Sequence, residues 1–207
     1  MNNLIFPRFQ SAVGRQRGFT LVELLVTIAV AAVILAIGVP SFRGTIASNR
    51  LTSLTNDLVG TLAQARSEAI RRGVRITVCM STNGTACATV GDWSAGWIVF
   101  VDTTRAGLTA AVDAGETVLS YTQPTPTNTV VRGGASVAQY VSFSSDGTAR
   151  TLAGGALPGG AVATLRVCET STALPDATRA RDVAISSVGR VETSTPATVS
   201  NACAAPT

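Results

Sequence analysis

Residues 19–39 read FTLVELLVTIAVAAVILAIGV, an apolar run in which Glu23 is the single charged side chain. About twenty such residues suffice for an α-helix to cross the hydrocarbon core of a bilayer. Arg8, Arg15 and Arg17 precede the run with no acid among them. Because basic flanks stay in the cytoplasm, the rest of the chain is predicted to lie outside it. A cleaved secretory signal peptide is the alternative, although its apolar segment is shorter, roughly 7 to 15 residues.

A helical pattern continues beyond Pro40, which removes one helical hydrogen bond and predicts a bend there. Arg71 and Arg72 are favourable in the last turn of a helix, and Gly73 suits the position after it. The apolar positions recur every three or four residues, which predicts one stripe that packs on a soluble domain. They are Leu51, Leu54, Leu58, Leu62, Ala65 and Ala69.

From residue 74 the apolar period changes to that of β-strands. Turn signals at Asn83-Gly84, Asp146-Gly147 and Val188-Gly189 separate the runs, and LAGGALPGGA and TQPTPTN are typical of loops. With no second helical pattern, the sequence predicts an α+β fold, a long helix packed on a C-terminal antiparallel β domain. The strand-like runs are VRITVCM from residue 74, GWIVFVD from 96, TVLSY from 117, QYVSF from 139, AVATLRVCE from 161 and RDVAISSVGRVE from 181.

The composition argues against catalysis. All sixteen basic residues are Arg, and there is no His, which excludes His acid/base chemistry, His-ligated zinc, Schiff-base lysines and a P-loop lysine. The acids Asp113 and Glu116 lie in a glycine-containing loop that we interpret as a solvated turn. Trp93 and Trp97 could form a recognition surface but fit core packing better. We therefore expect no enzyme activity, no cofactor and no metal site.

Cys79, Cys87, Cys168 and Cys203 lack the CxxC spacing of zinc or redox sites. Outside the cytoplasm disulfides are favoured over free thiols. Of the three pairings, we favour Cys79 with Cys87, across the Asn83-Gly84 turn, and Cys168 with Cys203, which would tie the tail to a strand. Four free buried thiols remain the alternative.

The segment RGFTLVELLV, with its basic leader and the Gly18-Phe19 junction, resembles the class III signal of type IV prepilins and pseudopilins. The blocks ARSEAIRRG, RITVCMSTNGTAC and DWSAGWIVFVD resemble the GspH/FimT family of minor pilins and pseudopilins, nearest its FimT/FimU-like members. The resemblance implies cleavage by a prepilin peptidase after Gly18, N-methylation of Phe19, and assembly with other pilin or pseudopilin subunits at the bacterial inner membrane.

The implied organisation is a leader over residues 1–18, a transmembrane helix over 19–40, an amphipathic helix over 41–73, and a β domain over 74–207 with two small sheets, as in pilins. The C-terminal domain would then lie in the periplasm. Cleavage would remove Arg8, Arg15 and Arg17 and lower the formal charge from +4 to +1. Most of the net positive charge therefore lies in the leader, where it determines how the chain is oriented in the membrane.

An acid in hydrocarbon is costly unless it has a partner, so Glu23 is a functional candidate. The resemblance suggests that it pairs with the amine of mature Phe19, in the same or a neighbouring subunit, during assembly. The alternative is a side chain that snorkels to the cytoplasmic interface.

The resemblance leaves two machines open, the type IV pilus, which the long STNGTAC loop over residues 81–87 favours, and the type II secretion system. The resemblance also leaves open a DNA-binding minor pilin for natural transformation, because FimT-like pilins of naturally transformable bacteria bind DNA through a C-terminal GRxR motif. Here the matching residues are Gly189, Arg190, Val191 and Glu192, and the carboxylate of Glu192 would repel a phosphate. Arg179 and Arg181 could complete a cluster with Arg190. The alternative is a hairpin turn with a solvated arginine.

Overall fold

The computed structural model describes residues 18–104, 109–151, 155 and 163–206, without the side chains of Pro40 and Ser41. The leader up to residue 17, and the LAGGALPGGA loop apart from Gly155, lie outside the described residues. The chain divides into two compact units, Met1–Ser41 and Phe42–Thr207. The bend expected at Pro40 remains a prediction.

The long helix α1 spans Leu21–Arg72, and its second half supplies one wall of the core. The predicted stripe is buried, with Leu58, Leu62, Ala65 and Ala69 fully inaccessible to solvent. The helix ends at Arg72, and the following Gly73 has the left-handed φ of 69° and donates its N–H to the carbonyl oxygen of Ala69 at 3.0 Å. The glycine predicted to follow the helix therefore caps it as expected.

Nine strands in the described ranges form two sheets, and each pair of neighbouring strands is antiparallel. The first sheet has the order β3-β2-β1-β5-β6 and the second β4-β7-β8-β9. The α+β prediction, with a helix and two small antiparallel sheets, is confirmed. The strands are β1 Ile76–Met80, β2 Trp97–Val101, β3 Val118–Thr122, β4 Thr129–Gly133, β5 Tyr140–Phe143, β6 Ala149–Arg150, β7 Ala163–Glu169, β8 Ala180–Ile185 and β9 Val191–Ser194.

The inner faces of both sheets and the helix stripe share one hydrophobic core. Trp93 and Trp97 are fully buried in it, and their indole N–H groups donate to the carbonyl oxygen of Val137 at 3.0 Å and to the Thr61 hydroxyl at 3.3 Å. The two indoles are thus packing residues with satisfied donors, as the core interpretation expects. Ile98 and Phe100 form a smaller cluster on the outer face of the first sheet.

Three features differ from the sequence prediction. Strands β4 and β6 are not among the predicted runs, because β4 follows a proline-rich loop and ends at a glycine pair and β6 has two residues. The Asn83-Gly84 turn does not join two strands directly. Strands β1 and β2 pair from Ile76 with Val101 to Met80 with Trp97, so the turn lies inside the longer connection 81–96.

Candidate functional site

The first half of α1 is an apolar surface that nothing in the described chain covers. Side chains from Leu21 to Ile37 are exposed throughout, although the segment is the most hydrophobic of the protein. The helix is long and apolar enough to cross a membrane by length and composition. A contiguous apolar surface of this size marks a membrane or protein interface.

Thr20 begins the helix as its N-cap. Its hydroxyl oxygen accepts the N–H of Glu23 at 3.2 Å, and its carbonyl oxygen accepts the N–H of Leu24 at 3.1 Å. The spacing Thr20-x-x-Glu23 is that of a capping box, a signal in the sequence that the prediction did not use. A carboxylate in the first turn also interacts favourably with the positive end of the helix dipole.

Gly18 and Phe19 precede the helix and are exposed, Phe19 by 78%. The peptide bond that joins them therefore lies outside the helical hydrogen-bond ladder. The Glu23 carboxylate makes no hydrogen bond or ion pair with any residue that the structure describes. Its role remains a prediction, because the amine that would pair with it exists only after cleavage.

The four cysteines form the two disulfides that the spacing favoured, Cys79 with Cys87 and Cys168 with Cys203. The second joins β7 to the C-terminal tail. The tail is held further by Arg166, whose guanidinium pairs with both carboxylate oxygens of Asp182 at 2.7 and 2.8 Å and donates to the carbonyl oxygen of Ala204 at 3.2 Å. The Asp182 carboxylate raises the pKa of Arg166. The tail thus packs against the outer face of the second sheet.

The structure corrects one candidate DNA contact. Arg179 is 5% exposed, and its guanidinium donates to the carbonyl oxygens of Glu169, Ser171 and Leu174 at 3.2, 2.8 and 2.5 Å. It also pairs with Asp176 at 2.9 Å. Arg179 therefore closes the loop between β7 and β8 and cannot reach a phosphate. Sequence reasoning missed this because a charged run usually indicates a solvated face.

The other two arginines of that candidate cluster lie at opposite ends of β8. Arg181 is the second residue of the strand and donates to the carbonyl oxygens of Thr178 and Ala180. Arg190 follows the turn at the other end, and its guanidinium pairs with Glu192 at 2.7 Å. The predicted cluster does not form, and a DNA contact stays a prediction for Arg181 and Arg190 separately.

The acids Asp113 and Glu116 also differ from the expected solvated turn. The Glu116 carboxylate is partly buried and accepts the backbone N–H groups of Thr103, Thr104 and Asp113 at 2.7, 3.2 and 2.9 Å. Burial opposes ionisation, but these hydrogen bonds prevail and lower the pKa of Glu116. Glu116 is thus a structural acceptor. Among the described residues, no three His, Cys, Asp or Glu side chains are grouped as a metal ion would require.

Comparisons with known proteins agree with this architecture. Residues 54–189 match the family described as Type II transport protein GspH, and residues 14–39 match the prokaryotic N-terminal methylation motif. A comparison with curated protein sequences finds no match.

The chain is similar in fold to the type IV minor pilin FimU of Pseudomonas aeruginosa. One crystal structure of FimU has a TM-score of 0.50 at 19% identity and covers 72% of this chain and 95% of its own. A second crystal form has a TM-score of 0.44 at 18% identity, with 74% and 98% covered. The GspH match spans most of the chain, and the methylation motif covers the exposed apolar first half of α1. The chain therefore belongs to the GspH family of minor pilins and pseudopilins.

Proposed function

We propose that the chain is a structural subunit without catalytic activity, inserted in the inner membrane by the first half of α1 and then assembled into a filament. The observation that carries this proposal is the contrast within one helix. Its first half exposes apolar side chains throughout, whereas its second half buries a stripe against both sheets. The first half can therefore pack in lipid before assembly and against other subunits afterwards. The β domain would lie in the periplasm, as the basic leader favours.

Processing would cut the exposed, non-helical bond between Gly18 and Phe19, and Phe19 would then be N-methylated. The new amine would belong to Phe19, one residue before the N-cap Thr20. Glu23 lies three residues after Thr20 and therefore four after the amine. A carboxylate and an amine that pair in the bilayer neutralise each other, which offsets the cost of placing either there. We therefore propose Glu23 as the assembly residue.

A type IV pilus is the machine that we favour. The long loop 81–96, which contains one disulfide-bonded cysteine, and the tail joined to β7 by the other disulfide resemble features of the pilus members of the family. FimU, whose fold is similar, is a type IV minor pilin. The alternative is the pseudopilus of a type II secretion system.

Mass spectrometry of membrane protein tests the processing step. We expect the unchanged chain to begin at N-methylated Phe19. Gly18→Val should accumulate uncut precursor, because a branched side chain beside the scissile bond hinders the peptidase. Gly38→Val is the matched control, since a Cβ at Gly38 meets no atom within 4 Å. Efficient cleavage of Gly18→Val would contradict the assigned junction.

Filament incorporation tests the role of Glu23. Glu23→Gln should be cleaved normally but be lost from sheared filaments, because the amide cannot neutralise an amine. Glu68→Gln removes a carboxylate near the other end of α1, where Glu68 pairs with Arg71 and Arg72 at 2.6 Å each, and should assemble normally. Normal incorporation of Glu23→Gln would show that pairing is unnecessary.

Deletion of the gene distinguishes the two machines. We expect fewer surface pili and unchanged secretion of type II substrates, with piliation restored by the unchanged chain. Loss of secretion with normal piliation would assign the subunit to the pseudopilus instead.

A further inference from the structure

Arg43 and Arg50 differ from the other arginines that the structure describes. Each of the others contacts a carboxylate, a backbone carbonyl or a hydroxyl, as Arg66 does with the carbonyl oxygens of Gly147 and Val188. Within the described ranges, Arg43 and Arg50 have neither a hydrogen bond nor an ion pair, and both are exposed. Two cations are therefore left exposed to solvent.

Two apolar side chains accompany them on the same helix. Phe42 is 71% exposed and Ile46 is 50% exposed. At 3.6 residues per turn, the four side chains fall within about 100° of the helix circumference. Ala47 and Leu51 follow on the adjacent arc, about 40° and 80° beyond Arg43, and are buried in the core. The face of Phe42, Arg43, Ile46 and Arg50, here called the 42–50 face, thus combines an apolar pair with a cationic pair.

The part of the helix that carries the 42–50 face has only positive charges among its side chains. Between Glu23 and Asp57 the sequence contains no acid, and its charged residues are Arg43 and Arg50. An acidic partner is therefore favoured, and no carboxylate of the same segment competes for it.

Chain length limits how far the 42–50 face can lie from the apolar run. Arg43 is four residues after Val39, so it lies within about 14 Å of the end of that run whatever the backbone does between them. The headgroup layer adds about 5 to 8 Å on each side of the hydrocarbon core, and its surface potential extends about a Debye length, roughly 8 to 10 Å, further. Arg43 is thus within reach of lipid phosphates, and Arg50 lies about 10 Å from it along the helix axis.

We propose that the 42–50 face docks on the outer surface of the membrane before assembly, with Phe42 and Ile46 at the headgroup boundary and Arg43 and Arg50 on the phosphates of anionic phospholipids. Apolar residues beside cations are the combination that holds a helix at a lipid interface. This inference rests on the proposed insertion of the first half of α1. Docking would hold the β domain close to the bilayer until the subunit is extracted.

Fluorescence of the full-length Phe42→Trp chain tests the proposal in lipid nanodiscs. One set contains phosphatidylcholine and the other adds phosphatidylglycerol, each with brominated acyl chains that quench nearby indoles. The unchanged chain gives the background from Trp93 and Trp97, which are fully buried. We expect the indole introduced at position 42 to be quenched, more strongly with phosphatidylglycerol, and the difference to shrink as salt is added.

Charge removal isolates the two arginines. Adding Arg43→Gln and Arg50→Gln to the Phe42→Trp chain should shift the docking equilibrium on phosphatidylglycerol by about tenfold or more toward the undocked state. Arg71→Gln with Arg72→Gln is the matched control, because it removes two arginines from the same helix that already pair with Glu68. The control should leave quenching of the introduced indole unchanged.

The outcomes separate this inference from the function on which it rests. If the chain enters nanodiscs but the introduced indole is not quenched, or is quenched equally with and without phosphatidylglycerol, the docking proposal is wrong and insertion stands. If position 42 instead crosslinks to a second subunit without lipid quenching, the face is a protein contact and the docking proposal is again wrong. If the chain does not enter nanodiscs at all, both proposals fail.

Discussion

The backbone carbonyl of Gly147 occupies the space that a Cβ at Gly189 would need. Gly147 lies in the turn between β5 and β6 of the first sheet, and Gly189 lies in the turn between β8 and β9 of the second. The N–H of Ala149 donates to the carbonyl oxygen of Ser187 at 3.0 Å across the same junction. The two sheets therefore meet backbone to backbone at these turns, and Gly189 is required there for its missing side chain.

Gly189→Ala should destabilise the chain strongly. The residue has a φ of 77°, which costs an alanine about 1 to 2 kcal/mol, and the clash with Gly147 adds about 1 to 3 kcal/mol. Gly73→Ala is the control, because Gly73 has a similar φ of 69° and a Cβ there meets no atom within 4 Å. Guanidinium unfolding of the full chain in detergent measures both. Equal losses in the two variants would mean that the close approach has no energetic weight.

Arg66 should stabilise the same junction from the helix. Its guanidinium donates to the carbonyl oxygens of Gly147 and Val188, both at 3.0 Å. Arg66→Ala leaves two acceptors unpaired, and we expect a loss of about 2 to 3 kcal/mol. Arg71→Ala removes an arginine whose partner is the surface carboxylate of Glu68 and should cost less than about 1 kcal/mol. A loss no larger in Arg66→Ala than in Arg71→Ala would contradict the bridging role.

Sequence periodicity predicts the parts of this fold that depend on local pattern. The stripe from Leu51 to Ala69 and the alternation in β1 indicate which faces are buried, because burial and chain period are linked. The contacts that it does not predict join distant segments. The approach of Gly147 to Gly189 depends on how two sheets meet, and Arg179 is buried because the loop 169–178 folds around its guanidinium. Neither the approach of these two glycines nor the burial of Arg179 is indicated by the residues next to them in the sequence.

Loss of the Cys168–Cys203 disulfide should destabilise the chain more than loss of Cys79–Cys87. The first closes a separation of 35 residues and the second one of 8, for which chain entropy gives about 3.8 and about 2.5 kcal/mol. Double Cys→Ser variants, compared by guanidinium unfolding, measure the difference. Hydrogen exchange should also speed up at Val199 and position 203 when the first pair is lost. The reverse order of stabilities would indicate that strain or unfolded-state structure outweighs loop entropy.

Glu192 should suppress DNA binding at the Gly189-Arg190 turn. Its carboxylate neutralises the Arg190 guanidinium at 2.7 Å, where a DNA-binding member of the family would have a second arginine. We expect no gel shift for the unchanged chain at moderate salt. Glu192→Arg should raise the affinity for DNA at low salt by about tenfold or more, with a steeper salt dependence. The substitution replaces a carboxylate that repels a DNA phosphate by a guanidinium that binds one. Binding by the unchanged chain that is lost in Arg190→Ala would overturn this expectation.

The contacts of Glu116 with Thr103, Thr104 and Asp113 should loosen in acid, because the carboxylate must be ionised to accept all three backbone N–H groups. Hydrogen bonds from three backbone N–H groups keep the pKa of Glu116 below its ordinary value of 4.5, against the effect of burial. A group whose folded pKa is lowered stabilises the fold above its unfolded pKa, and that stabilisation is lost as the pH falls through the folded value. NMR shifts of the Thr103, Thr104 and Asp113 amides should therefore titrate together with a midpoint below 4.5.

Glu116→Gln provides the control for that titration. The amide keeps one oxygen acceptor but does not ionise, so the three amide shifts should become independent of pH in this range while the loop is held more weakly at neutral pH. Asp113, the neighbouring acid, accepts the Thr104 hydroxyl at 2.6 Å and stays in place in the variant. If the shared midpoint persisted in Glu116→Gln, it would not belong to Glu116, and the hydrogen bonds that its carboxylate accepts would not set the acid stability of these contacts.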